Sequence, residues 1–257
     1  MDRQDIAIMF SGGTDSLALY ALATTGRHPE LPRPRKIHLL HMLNGFSRFH
    51  HFPQDRFELA QNILARQFPV FQKVLHDSDE GMPEAVLVEV DTGRLFQGLW
   101  LDRYEELMPK YGGKNLVCVA CKLAMHAKAV MYCTENYVPV LATGYAKRQE
   151  YYPEQTPVFM EKISRFSRQF GITTKHPIYD EFDDQMTTRH VLEEFGLPST
   201  GGGERKCLFC QTLTTATDKE IGHYLDDMVP RVIQFAEHQM AGRVRDAAAC
   251  FPPGNIR

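Results

Sequence analysis

Asp5-Ile-Ala-Ile-Met-Phe-Ser-Gly-Gly-Thr-Asp-Ser16 decides the fold. Asp5 to Phe10 is a continuous apolar run, the pattern of a strand covered on both faces in a parallel sheet. Gly12-Gly13 ends that strand, and Asp15 to Thr25, rich in Leu and Ala, is predicted to be a helix. Strand, glycine turn and helix in this order suit a polyphosphate for three reasons. The glycines let backbone N–H groups turn inward, the hydroxyls of Ser11, Thr14 and Ser16 donate, and the helix start contributes the positive end of its dipole. Asp15 is the odd residue in such a nest, and holding Mg2+ against the phosphates is a role its charge fits. The loop lacks the Lys of a Walker A sequence and the third Gly of a dinucleotide fingerprint. A plain Gly-Gly turn capped by Ser and Asp is the competing reading.

Outward from this loop, strands and helices alternate. Lys36 to Leu43 reads as a second strand ending at Asn44-Gly45, and Arg56 to Phe68 as a helix with Phe57, Ala60, Ile63, Leu64 and Phe68 on one side. Val86 to Val90 reads as a strand, either in the sheet or as part of a hairpin framed by Asp77–Gly81 and Asp91-Thr92-Gly93. Cys121 to Glu135 is predicted to be a helix and Val138 to Thr143 a strand reaching a turn at Gly144. Thr187 to Phe195 is a helix stopped by Gly196, and Asp218 to Met240 is helical with a break near Pro230. The expectation is an α/β fold, a mostly parallel twisted sheet with helices on both faces, in which ligands sit at the carboxyl ends of the strands. That puts Ser11, Asn44 and Thr143 on one rim. Residues 1–200 are read as the nucleotide-binding domain and 201–257 as a helical, Cys-containing extension on the same core.

Ser11-Gly-Gly-Thr-Asp-Ser16 resembles the Ser-Gly-Gly-x-Asp-Ser signature of the PP-loop ATP pyrophosphatase superfamily. The resemblance implies ATP and Mg2+ at this loop, adenylation of a carbonyl or carboxylate oxygen, and release of pyrophosphate. Leu141-Ala-Thr-Gly-Tyr145 looks like the family's Thr-Gly-His segment, with Tyr145 in place of His. Ala146-Lys147-Arg148-Gln149 stands where many tRNA-thiolating members carry a polar run with paired Asp. Thr143 and Gly144 are therefore expected near the nucleotide.

Four of the six cysteines form two Cys-x-x-Cys pairs, Cys118/Cys121 and Cys207/Cys210, a metal-site signal rather than a disulfide pattern in a cytoplasmic chain. The stretch between the pairs is too long for a local zinc ribbon, so the fold must bring them together. Four thiolates suit Zn2+ or an iron–sulfur cluster, and unligated thiols are the third alternative. The order of segments is similar to that of PP-loop tRNA thiolation enzymes, in which three Cys hold a 4Fe-4S cluster that carries sulfide. By that resemblance Cys118, Cys121 and Cys207 are ligands, and Cys210 is a fourth ligand or a persulfide carrier. Lys122 and His126, one turn apart, are candidates to point a cation at phosphate, although His126 alone reads better as a packing or capping residue. Cys133 reads as a buried small residue and Cys250 as a free thiol.

At 43% hydrophobic and 24% charged residues the chain is neither disordered nor a membrane protein by composition, and no apolar run near the N-terminus forms a signal sequence. A cytoplasmic location is expected. The formal charge of −3 excludes a strongly basic nucleic-acid surface, leaving Lys147-Arg148 and Lys162/Arg165/Arg168 as local basic candidates, the latter more plainly a solvated helix face. Three functions compete. The first is an ATP-dependent sulfurtransferase acting on a base carbonyl, with tRNA or a small molecule as acceptor and a separate sulfur donor protein. The second is a PP-loop ligase similar to a deazaguanine synthase, with structural zinc. The third is a nucleotide-binding regulator that lost the chemistry. The sequence leaves open whether the chain pairs as a homodimer.

Overall fold

Period-two alternation in the strands sorts the helices onto two faces. A computed structural model describes residues 4–46, 52–74, 81–111, 116–182, 184–199 and 216–242. Five strands form one sheet in the order β3-β2-β1-β4-β5. They are β1 (Gln4–Met9), β2 (Pro34–Leu43), β3 (Glu84–Asp91), β4 (Val140–Thr143) and β5 (Thr173–Lys175), and every pairing is parallel. Ala7, Leu40, Met42 and Leu141 face one core, while Ile6, Ile8, Ile37, Leu39, Val140 and Ala142 face the other. The strand side chains alternate between the two cores because successive residues project to opposite faces.

The second core is closed by α1 (Thr14–Thr25), α2 (Phe52–Val74) and α7 (Gln185–Glu194), through residues such as Leu17, Tyr20, Phe57, Leu64 and Leu192. The first is closed by α3 (Gly93–Leu99), α4 (Tyr104–Lys110), α5 (Val117–Glu135), α6 (Pro157–Arg168) and α8 (Asp218–Met240). This is the α/β architecture expected, helices on both faces included.

Several elements differ from expectation. Val86 to Val90 lies in β3, which pairs with β2 in parallel from Lys36/Glu84 to Leu43/Asp91, so the hairpin alternative fails. The helix of the crossover, α2, supplies the reversal a hairpin would have made. α8 runs unbroken through Pro230, contrary to the expected break. A Pro costs one backbone hydrogen bond, but Met228 and Val232 on either side are both fully buried and hold the helix to the core. Its start is fixed by a capping box between Thr217 and Glu220. α2 likewise continues past Pro69. α5 is long and apolar enough, by length and composition, to cross a membrane, yet 61% of that window is buried inside the protein, as befits the central core helix.

Candidate functional site

The strand order reverses between β1 and β4, and the crevice outside their carboxyl ends is where ligands bind in such sheets. A cleft of about 250 Å³ opens there, lined on one side by Ser11, Gly13, Thr14, Asp15 and Ser16 and on the other by Lys122, Met125, Thr143, Gly144 and Tyr145.

The loop is held from several directions. Gly12 has φ +76°, and a Cβ at this position would stand 2.9 Å from Pro53 Cα, so both conformation and space demand glycine. Gly13 is the extended N-cap of α1, and its carbonyl accepts from Leu17 N and from Ser16 Oγ, each at 3.0 Å. Ser11 Oγ lies 3.2 Å from Ser16 Oγ and accepts from Gly13 N at 3.2 Å. No side chain caps α1. The N–H groups of Thr14, Asp15 and Ser16 have no acceptor among the described residues, which leaves first-turn donors beside the cleft. Gly144 makes this approach possible from the other side, since a Cβ there would lie 3.0 Å from Ser16 N and 3.1 Å from Asp15 C.

Asp15 is tied into a network of side chains far from it in the chain. Its Oδ1 accepts from Arg148 Nη2 and, at 3.0 Å, from Thr188 Oγ1; its Oδ2 accepts from Gln149 Nε2 at 3.2 Å. Gln149 is oriented in turn by Gln155 Nε2, at 2.7 Å, and Gln155 Oε1 accepts from Ala146 N at 3.2 Å. Arg148 also donates to Phe182 O at 3.0 Å. One Oδ2 lone pair of Asp15 is left over, which fits a single contact to a largely hydrated Mg2+.

The opposite wall sets a cluster of neutral aromatic rings beside Lys122. Tyr145 Oη is 2.8 Å from His126 Nε2, its ring stacks on His176 at 5.5 Å, and Thr143 Oγ1 is 2.7 Å from His176 Nδ1. Burial drives the His126 pKa well below that of a free imidazole and takes His176 down to about 4, while it pushes the Tyr145 phenol up. His126 is therefore neutral and cannot be the cation considered from sequence. Lys122 can: its Nζ lies 5.8 Å from the Tyr145 ring centroid, and it has no hydrogen bond or ion pair among the described residues. Glu154, buried nearby, has its carboxyl pKa raised by burial, with Lys122 pulling the other way.

Cys118 and Cys121 sit three residues apart in the first turn and a half of α5, half-buried on one side of the helix. Asn44, buried at the end of β2, donates from Nδ2 to Cys121 Sγ at 3.4 Å. Asn44 thus meets the cysteine rather than the cleft lining. A donor aimed at sulfur is compatible with a metal-bound thiolate. Cys207 and Cys210 lie outside the described residues, as do Gly201 to Gly203 and Cys250. The described residues alone contain no group of three metal-ligating side chains. Cys133 is fully buried in the core, and burial pushes its thiol pKa to about 12.

The basic candidates are largely neutralised. Lys147 pairs with Asp180 at 3.5 Å, Arg148 with Asp15, Lys162 with Asp226 and Arg165 with Glu161. Sequence reasoning missed Gln149, Gln155, Thr188 and His176 because their roles arise from contacts across the fold.

No protein-family model matches the chain, and no curated protein matches it. Among solved structures, the chain is similar to the U34-tRNA thiolase NcsA from Methanococcus maripaludis with its [4Fe-4S] cluster, at 14% identity and a TM-score of 0.48, covering 94% of this chain and 74% of that one.

Proposed function

We propose that the chain is a cytoplasmic ATP pyrophosphatase-type adenylating enzyme of the PP-loop kind, which activates a base carbonyl for sulfur transfer. The observation that carries the reading is the cleft at the β1/β4 crevice, where Thr14, Asp15 and Ser16, whose N–H groups have no acceptor among the described residues, line one side and Lys122 the other. Such donors stabilise the charge that gathers on a departing pyrophosphate, because they are already oriented and need not reorganise. The Ser11 and Ser16 hydroxyls would add to them on turning away from the Ser11–Ser16 and Ser16–Gly13 contacts, and Asp15 Oδ2 would take one Mg2+ contact. Lys122 would meet the α-phosphate side, and the neutral Tyr145 wall would keep water and competing charge away from the nucleoside end.

Cys118, Cys121 and Cys207 would hold a 4Fe-4S cluster, which when bound would supply, at the iron without a thiolate, a site for the sulfide to be transferred, with Cys210 as a persulfide carrier or, in a closed site, a fourth ligand. Adenylation turns the carbonyl oxygen into a good leaving group, so that AMP departs when sulfur adds. The acceptor is a base in tRNA, with a sulfur donor protein upstream. The first test is anaerobic purification followed by iron, zinc and sulfide analysis, together with assay of AMP and pyrophosphate from ATP. Iron and sulfide with acceptor-dependent AMP release support the reading, and absence of AMP and pyrophosphate with every acceptor sinks it.

One observation favours a second reading. Of the five local basic candidates, Lys147, Arg148, Lys162 and Arg165 are paired with carboxylates, which weakens them as a polynucleotide contact among the described residues. A small-molecule acceptor with zinc on the cysteines accounts for that, and one zinc per chain with no sulfide would select it.

A further inference from the structure

Near the start of α2 a buried cation has no carboxylate partner among the described residues. Arg56 is 8% exposed, and its guanidinium donates to two backbone carbonyls: Nε to Gly12 O at 3.4 Å and Nη2 to Pro198 O at 3.0 Å. It lies 5.7 Å from the centroid of the Phe52 ring, the same ring that packs against Gly12. Burial alone lowers its pKa, with no neighbouring charge acting on it. Desolvating an arginine without a counter-charge is costly, so its place behind the loop calls for a reason.

The Gly12–Gly13 peptide gives one. In a trans peptide the C=O and N–H point in opposite directions. A cation that holds Gly12 O on the α2 side therefore turns Gly13 N–H away from α2, and Gly13 lines the cleft. In the structure this N–H donates to Ser11 Oγ at 3.2 Å. With glycine on both sides, the peptide plane meets little steric resistance to rotation. A rotated plane would present a carbonyl oxygen to an anion and repel it.

We infer that Arg56 is a positioning residue, which locks the Gly12–Gly13 peptide with its N–H towards a bound di- or triphosphate and supplies from behind the loop the positive charge that a Walker lysine supplies from within. The inference rests on the loop being a polyphosphate site, and the experiment separates the two. Calorimetric titration of the full chain with inorganic pyrophosphate, ATP and adenosine is compared for wild type, Arg56→Lys and Arg56→Gln.

In Arg56→Gln, pyrophosphate and ATP should bind about tenfold more weakly, the scale of one charge-assisted hydrogen bond. Adenosine affinity should be unchanged, and Arg56→Lys should recover part of the pyrophosphate affinity. Equal pyrophosphate affinity in wild type and Arg56→Gln overturns the role of Arg56 and leaves the loop reading standing. A parallel loss of adenosine binding marks a general structural role and also overturns it. Wild type that binds neither ATP nor pyrophosphate removes the loop reading and the inference together. Should Arg56→Gln not fold, the Gly13 amide resonance of wild type decides: a shift on adding pyrophosphate supports the oriented N–H, and no shift overturns it.

Discussion

The two walls of the cleft are held by opposite chemistry. On the α1 side Asp15, Arg148, Gln149 and Thr188 form a charged, hydrogen-bonded lattice, whereas on the α5 side Tyr145, His126 and His176 form a stack from which burial has drained the charge. The charged wall fixes where an anion goes, because its donors cannot drift. The aromatic cluster adds no charge of its own to the cleft, so Lys122 is the cation on that side. It has no ion pair among the described residues.

The comparison breaks most visibly at Asp15. Asp15→Ala leaves Arg148, whose side chain is 15% exposed, without its counter-charge, and the expected loss is about 3 kcal/mol in urea denaturation, with pyrophosphate release abolished. Adding Arg148→Met should return most of that stability and none of the activity. If the single variant keeps full ATP turnover, the charged wall has no part in the reaction.

Acid should strike the neutral wall next. His176 titrates at about 4 in the folded protein, below the ~6.5 of a free imidazole. Between those values the unfolded chain binds a proton that the folded chain refuses, so stability falls as the pH falls from about 6.5 to about 4. His176 alone accounts for about 3 kcal/mol across that window, and the buried His126 and His38, also lowered by burial, act in the same direction. Glu154 opposes them, since its raised pKa favours the folded state at low pH. Thermal melts of His176→Asn should be flatter across the same range; an unchanged slope would show that the ring is not held neutral.

Gly12→Ala sharpens the comparison at the loop. The positive φ and the 2.9 Å approach to Pro53 should cost about 2 kcal/mol and weaken ATP binding without touching the aromatic stack. The smallest stability effect belongs to Lys122→Met, within about 0.5 kcal/mol of wild type in the same denaturation, with a large fall in AMP formation. A stability loss comparable to that of Asp15→Ala would mean that Lys122 supports the fold rather than the chemistry.

Legibility from sequence followed the range of the interactions. Ile6, Ala7 and Ile8 announce a strand buried on both faces, and Ser11 to Ser16 announce a loop, because those signals are contained in neighbouring residues. The parallel placement of Val86 to Val90 was half visible, since an apolar run does not say which partner it meets. Pro230 misled because a local rule about helices yields where Met228 and Val232 are buried. The Arg148 pairing with Asp15 and the Arg56 grip on Gly12 were invisible, for they join residues far apart in the chain and leave no periodic trace.

α5 carries Cys118, Cys121, Lys122 and Met125 on one continuous helix, and that makes it a ruler. At a rise of about 1.5 Å per residue, Cys118 and Met125 are spaced about 10 Å along its axis whatever the cleft contains. On the proposed function, a group passed from Cys118 to the cleft would meet an interval set by this helix, and a group passed from Cys121 a much shorter one, so which cysteine delivers it would be read from its reach rather than from a closing motion of α5.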